Sequence, residues 1–304
     1  MFTPGVIPGF TIAIQALTQP GDGIIIQTPV YYPFANSIEN NGRVIKNNKL
    51  RIKNGRYEMD FEDLKEKARD PKTKLLILSN PHNPVGRVWT SEELKKLADI
   101  CLENDIKIVS DEIHGDIIFR GHKHIPLSSL GKEVADITIT TCSPSKTFNV
   151  AGLQTAYMVI PSDSIREQFN KQLTANRIFN ISALGQVTLE AAYNDSEDYL
   201  IQLLDYLEAN LDYMEKFIRD ELKNIKLYRP EGTYLVWLDF KGTGMRNDEI
   251  KRFIIEKAKI AVDQGDWFGE GGEGFARFNI ACPRSTLERA MNQLKKALDE
   301  IDSK

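Results

Sequence analysis

Apolar and polar residues alternate along this chain in two rhythms. Short apolar runs at Ile24-Ile25-Ile26, Leu75-Leu76-Ile77-Leu78, 106–109, 137–140 and 156–160 have the length and β-branched content of buried strands. Between them lie stretches of helical period at about 6–19, 31–41, 60–69 and 91–104, and Ser91 followed by Glu92 and Glu93 marks a capped helix start. Short strands separated by helices predict an α/β fold with a mainly parallel sheet and helices on both faces. The rhythm changes after Asn194. Leu200, Leu203, Leu204, Leu207, Leu211, Met214 and Ile218 form one long helical stripe. A strand at 234–238, a helix near 247–258, a strand near 275–281 and a last helix from Ser285 follow. The expected division is a large domain, 1–195, and a smaller C-terminal α+β domain, 196–304.

With 304 residues, 41% of them hydrophobic, the chain is long enough for a substantial core. A formal net charge of −4 speaks against a broad basic surface for nucleic acid. No apolar run approaches the roughly 18–20 residues of a membrane span. The opening M-F-T-P-G-V lacks the basic and apolar regions of a signal peptide. Cys101, Cys142 and Cys282 are odd in number and show no C-x-x-C spacing, which fits a reducing compartment. The expectation is a cytoplasmic protein with neither nucleic acid nor membrane as partner.

Chemistry concentrates just beyond the strands, where open α/β sheets place ligands. Ser143-Pro144-Ser145-Lys146 follows the strand at 137–140, so hydroxyls flank an amine. Taken alone, that is a solvated lysine in a serine-rich turn. Asp111-Glu112-Ile113-His114 follows the strand at 106–109, and a carboxylate there suits a pyridinium nitrogen. A metal site built from Asp111, Glu112, His114, His122 and His124 is the rival reading. No H-x-x-x-H or H-E-x-x-H spacing supports it, and no metal is expected. Asn80-Pro81-His82-Asn83-Pro84-Val85-Gly86 makes a rigid turn that presents the Asn83 amide. Thr3-Pro4-Gly5-Val6-Ile7-Pro8-Gly9 opens the first helix, where free N–H groups favour phosphate, and Pro29-Val30-Tyr31-Tyr32 follows the first strand, where an aromatic suits stacking on a planar ring; either segment is equally plain loop chemistry. Arg277 begins an otherwise apolar strand and needs an anion, either a substrate carboxylate or an internal partner.

In this order, the motifs resemble those of fold-type I pyridoxal-5′-phosphate (PLP) enzymes, the aspartate aminotransferase superfamily. The resemblance covers nearly the whole chain. F-T-P-G-V, T-P-V-Y-Y-P-F, S-D-E-I-H-G-D with the later H-I-P-L, and S-K-T-F-N-V-A-G-L-Q look most like the cystathionine β-lyase / cysteine-S-conjugate β-lyase branch. His114 stands where many aminotransferases have tyrosine, and Gln154 where many have a phosphate-gripping arginine. The resemblance implies that Lys146 bonds the cofactor aldehyde and Asp111 pairs with the ring nitrogen. It implies that Asn83 bonds the phenolic oxygen, Tyr31 stacks on the ring and His114 lies beside it. Ser143, Ser145 and the Val6 and Ile7 amides would hold the phosphate, and Arg277 the substrate α-carboxylate. Members usually begin well before F-T-P-G, with an arm and a tyrosine that reaches the neighbouring subunit's phosphate. The chain is therefore expected to lack that segment and, where it pairs, to form a homodimer.

The implied activity is β-elimination from cystathionine or a related cysteine S-conjugate, an amino-acid substrate, giving a thiol, pyruvate and ammonia. Lys146 would take the Cα proton while the ring, protonated opposite Asp111, accepts the electrons. A class I/II aminotransferase shares the early steps, and a non-catalytic PLP-binding or regulatory protein is the reading of another class.

Overall fold

A computed structural model describes residues 1–178 and 181–302. Seven strands form the larger sheet: β1 (Phe2–Thr3), β2 (Gly23–Ile26), β3 (Val44–Asn47), β4 (Thr73–Ser79), β5 (Lys107–Asp111), β6 (Thr138–Cys142) and β7 (Ala156–Val159). Their order is β1-β7-β6-β5-β4-β2-β3. The central pairs are parallel, and β7 and β1 join antiparallel. Ile24, Ile25, Leu75, Leu76, Ile77, Ile108, Val109 and Ile139 are all fully buried, as a sheet covered on both faces requires.

Helices α1 (Val6–Leu17), α2 (Pro33–Asn40), α3 (Phe61–Ala68), α4 (Ser91–Glu103), α5 (Asp163–Ala175) and α6 (Ala183–Asp195) accompany this sheet. One apolar cluster joins α1, α2 and α5 to Ile24, Ile26, Leu75, Ile77 and Val109; another joins α3 and α4 to Ile25, Leu76, Leu78 and Ile108. Alternate residues of β2, β4 and β5 thus serve opposite layers. The cap of α4 is Thr90, one residue earlier than the expected Ser91. Thr90 Oγ1 accepts from Glu93 N at 3.2 Å while Glu93 Oε2 accepts from Thr90 N at 2.9 Å, a reciprocal box that leaves Ser91 as the first helical residue.

The long helix α7 (Glu197–Glu221) carries the expected stripe, of which Leu207, Leu211, Met214 and Ile218 are buried. Beyond it, β8 (Lys226–Tyr228), β9 (Leu235–Asp239), β10 (Asp263–Gln264) and β11 (Phe275–Asn279) form an antiparallel sheet ordered β8-β9-β11-β10. Helix α8 (Asn247–Arg252) passes into a π turn at Phe253–Lys257, so the expected single helix at 247–258 is two pieces. Helix α9 (Arg284–Asp302) follows β11. One face of this second sheet, with Val236, Leu238, Ala276 and Phe278, packs on α7 and α9; the other, with Trp237 and Phe275, joins the apolar cluster beneath α3 and α4. Among the described residues no helix is long and apolar enough to cross a membrane.

The two sheets are tied at the turn that carries Asn83. Glu231 N and Gly232 N both donate to Gly86 O, at 2.7 and 3.2 Å. A Cβ on Gly86, whose φ is +70°, would lie 2.3 Å from the Pro230 side chain, so only glycine allows this approach. Arg87, 3% exposed, meets Glu231 at 3.0 Å and Glu93 at 2.8 Å, donates to Tyr57 O, and lies 4.6 Å from the Trp89 ring centroid. Burial alone would raise the Glu231 pKa, but Arg87 and the Val88 amide hold it below its ordinary value.

Arg87→Leu should therefore leave Glu93 without its cation and Glu231 with Arg56 alone, and lower stability by about 3 kcal/mol at neutral pH. A depressed carboxylate contributes stability above its unfolded pKa of about 4.3 and loses it as pH falls. The gap between variant and wild type should thus close below about pH 4. Urea midpoints at pH 7 and pH 4 check this; an equal gap at both would contradict the ion-pair account.

Candidate active site

Because β4, β5 and β6 run parallel, their C-terminal ends open on one edge, and a cavity of about 390 Å³ lies there. The N-terminus of α1 closes one side, and β10 and β11 close another. Every position expected to hold cofactor or substrate lines it: Val6, Ile7, Tyr31, Asn83, Asp111, His114, Ser143, Ser145, Lys146 and Arg277; Glu112, His122 and His124 of the rival metal reading are not among its lining residues.

Asp111 is the last residue of β5 and only 5% exposed. Its Oδ1 accepts long hydrogen bonds from Ile113 N and Thr141 Oγ1, both 3.3 Å, and it forms no ion pair among the described residues. Burial pushes its pKa up to about 7, against the pull of those two donors. Lys146 faces the same space, and burial together with the nearby Arg277 charge holds its ammonium below the ordinary lysine range. His114, 4% exposed, sits edge-on to Tyr234 at 5.6 Å. Burial, with the charges of Lys146 and Arg277, lowers its pKa to about 3, so the ring is neutral, and its buried Nδ1 has no hydrogen-bond partner among the described residues. Tyr31 keeps its phenol proton, since burial and the Asp111 charge raise its pKa to about 12.

The anion-binding donors are unequal. The third residue of α1 is Pro8, which has no N–H, and Gly9 N is already bonded to Gly5 O at 3.2 Å. Val6 and Ile7 therefore supply the free amides of that first turn. Ser145 Oγ makes no hydrogen bond among the described residues. Ser143 Oγ instead gives its proton to Thr155 O at 2.7 Å and accepts from Ser145 N at 3.1 Å. Ser143 thus shapes the turn and would donate to an anion only by releasing Thr155 O. Gln154, in a left-handed conformation with φ 51°, lines the cavity and donates to Ala151 O.

Arg277 has the protein partners that its setting demanded. Asp263 lies directly opposite it in the β10/β11 register, and Asp263 Oδ2 accepts from Arg277 Nε at 3.0 Å and from Nη2. Arg277 Nη1 donates to Asn83 Oδ1 at 2.8 Å, and the guanidinium lies 4.8 Å from the Phe268 ring centroid. The Asn83 amide nitrogen is then left to donate elsewhere. Both sequence readings of Arg277, internal ion pair and cavity-facing cation, describe its position.

Tyr32, beside Tyr31 in its segment, also lines the cavity, as do Tyr234, Asp263 and Asn279, which carry no expected role from the sequence. Asp263 ends the apolar stretch Ile260-Ala261-Val262, and the argument that singled out Arg277 applies equally to it. Tyr234 was read only as the start of a strand.

This donor set fits PLP. A buried carboxylate without a cation suits a protonated ring nitrogen, and free helix-end amides with the Ser145 hydroxyl suit a phosphate. The Asn83 amide suits a phenolic oxygen, and a lysine of lowered pKa suits an aldehyde.

Comparison with known proteins points the same way. The family model for aminotransferase class I and II matches residues 1–294. The chain is 43% identical over 297 residues to cystathionine beta-lyase PatB of Bacillus subtilis, covering 98% of itself and 77% of that protein. It is 30% identical over 305 residues to an aspartate aminotransferase of Pyrococcus horikoshii, covering 98% and 75%. The crystal structure of cystalysin from Treponema denticola, which contains a pyridoxal 5′-phosphate cofactor, superposes with a TM-score of 0.97 at 40% identity, covering 99% and 76%.

Asp111 also sets a pH signature. An acid whose folded pKa is raised from about 3.9 to about 7 loses stability as pH climbs between those values. In cofactor-free protein, Asp111→Asn should match wild type near pH 4 and exceed it by roughly 2–4 kcal/mol above pH 7. Denaturant unfolding across that range checks it; parallel curves would refute the buried-carboxylate account.

Proposed function

The chain belongs to the aminotransferase class I and II family, and within it we propose a PLP-dependent carbon–sulfur β-lyase that cleaves cystathionine or a related cysteine S-conjugate to a thiol, pyruvate and ammonia. Residues 1–195 form the cofactor-binding domain in this reading, and 196–304 the smaller domain that brings Arg277. The observation that carries it is the buried Asp111 carboxylate facing the cavity with no ion-pair partner among the described residues. Likeness to PatB supports the lyase class.

When bound, PLP supplies an aldehyde for the lysine and an electron-withdrawing ring. Asp111 holds the proton on the ring nitrogen, which a carboxylate deprived of water does strongly. The Asn83 amide donates to the phenolic oxygen, Tyr31 and His114 confine the ring, and Val6 N, Ile7 N and Ser145 Oγ donate to the phosphate. Ser143 holds the Ser145 turn and is a further donor once it leaves Thr155 O. Arg277 grips the α-carboxylate and so orients the Cα–H bond. Lys146 Nζ would take the Cα proton; its lowered pKa keeps more of it in the free-base form that this requires. The Cα electron pair would form the Cα–Cβ double bond as the thiolate leaves Cβ, and hydrolysis by one water would give pyruvate and ammonia.

We infer the same setting for the protein as a whole: a cytoplasmic homodimer. Three free cysteines accord with a reducing compartment. Phe2, Val159, Leu184 and Val187, from 44 to 69% exposed, give the β1/β7 edge and α6 apolar surface for a second copy. The aminotransferase reading stays open because of the Pyrococcus relative.

Borohydride reduction of the PLP-loaded protein should fix the cofactor on Lys146, and pyruvate should accumulate from cystathionine. Lys146→Ala should lower that turnover by at least about 10²–10⁴-fold. A label on another lysine refutes the assignment. Conversion of a 2-oxo acid without pyruvate release from cystathionine selects the aminotransferase.

A further inference from the structure

We propose that Asp263 is a specificity-determining residue: it occupies the side-on fork of Arg277 and disfavours substrates whose side chain carries a net negative charge. The proposal rests on the reading that Arg277 receives the substrate α-carboxylate. A guanidinium has five N–H donors arranged as a side-on pair, Nε with Nη2, and an end-on pair, Nη1 with Nη2. Asp263 Oδ2 accepts from both members of the side-on pair. One Nη1 proton goes to Asn83 Oδ1. One Nη1 proton and one Nη2 proton are thus left for a substrate carboxylate.

The second consequence concerns charge. Asp263 lines the same cavity as Arg277, and its side chain is one-third exposed, at 34%, whereas that of Arg277 is 12% exposed. The carboxylate is pinned there by its cross-strand position opposite Arg277. The pair is neutral as a unit. An incoming α-carboxylate therefore meets a guanidinium whose charge is already offset, and a second carboxylate on the ligand meets an anion whose ion pair, among the described residues, is with Arg277 alone. At an effective dielectric constant of about 20, repulsion between two unit charges about 10 Å apart is worth about tenfold in binding. A neutral or zwitterionic thioether escapes this penalty and a dicarboxylic amino acid does not. Arginine gripped by an acidic neighbour thus favours the substrate class proposed above over aspartate or glutamate.

Two ligands of equal chain length isolate the effect: butyrate, with one carboxylate, and succinate, with two. Calorimetric titration of the PLP-loaded protein should show butyrate binding more tightly than succinate. Asp263→Asn, which keeps the shape and removes the charge, should shift the succinate-to-butyrate affinity ratio about tenfold toward succinate. Asp263→Glu, which keeps the charge, should retain the wild-type preference. Wild-type protein that binds succinate as tightly as butyrate overturns the proposal without recourse to any variant, as does an unchanged ratio in a folded Asp263→Asn protein. Butyrate binding that survives Arg277→Lys unaltered would mean that Arg277 is not the carboxylate site. That separate failure would remove the premise and the proposal together.

Discussion

Register between β4, β5 and β6 is the constraint on which the rest of the site depends. In that parallel ladder Ser79 lies beside Asp111, and Asp111 beside Thr141. Side chains along a strand alternate between faces, so a slip of one residue would turn Asp111 to the other side of the sheet. The register is held by residues with no chemistry of their own, the fully buried Leu75 to Leu78, Ile108, Val109 and Ile139. Burying them commits the strands, and the strands then deliver a carboxylate to a place from which water is largely excluded. The raised pKa of Asp111 follows from packing rather than from any special partner.

The second sheet reaches the site through a period-two argument of the same kind. In β11, Ala276 and Phe278 point to the helices α7 and α9, while Phe275 joins the apolar cluster beneath α3 and α4. Arg277 shares the face of Phe275, so it is carried toward the larger sheet and meets Asn83 there. The Gly86–Glu231–Arg87 joint lies on the same turn as Asn83. The two sheets are therefore tied at one turn by backbone bonds, buried ion pairs and the arginine itself.

Strand ends and the polar residues just past them were legible in the sequence because buried runs are conspicuous and a charged group beside one has few bland explanations. That covered Lys146, Asp111, Asn83 and Arg277 as positions in the cavity. What escaped lacked such contrast. Strand β3 and the hairpin Arg51–Lys53 with Arg56–Glu58 are edge elements of mixed polarity, although Asn54-Gly55, both at positive φ, is a hairpin signal that the strand pattern obscured. Helix α6 leaves Leu184 and Val187 exposed, so its apolar positions trace no single inward stripe. Strand β10 is two residues long and has no period to read, and with it Asp263 was missed. The bond from Ser143 Oγ to Thr155 O joins residues twelve apart through a turn whose shape the sequence does not specify.

A chain of hydrogen bonds runs from Asp263 through Arg277 to the Asn83 side chain, and from the Asn83 backbone N to Ser79 Oγ at 3.1 Å. It links the short edge strand β10 to the C-terminal end of β4, the strand beside Asp111. Each member fixes the next: Asp263 sets the plane of the guanidinium, and the guanidinium takes the Asn83 oxygen and leaves the amide nitrogen as donor. A planar fork is suited to this because its donors keep fixed relative directions, whereas an ammonium would leave the Asn83 amide free to turn. The guanidinium proposed to receive a carboxylate and the amide proposed to donate to a ring oxygen are thus held in one chain that passes through Arg277. Preorganisation of this kind places the ordering entropy in folding rather than in binding, and it makes the geometry of the larger sheet's site depend on a residue contributed by the smaller one.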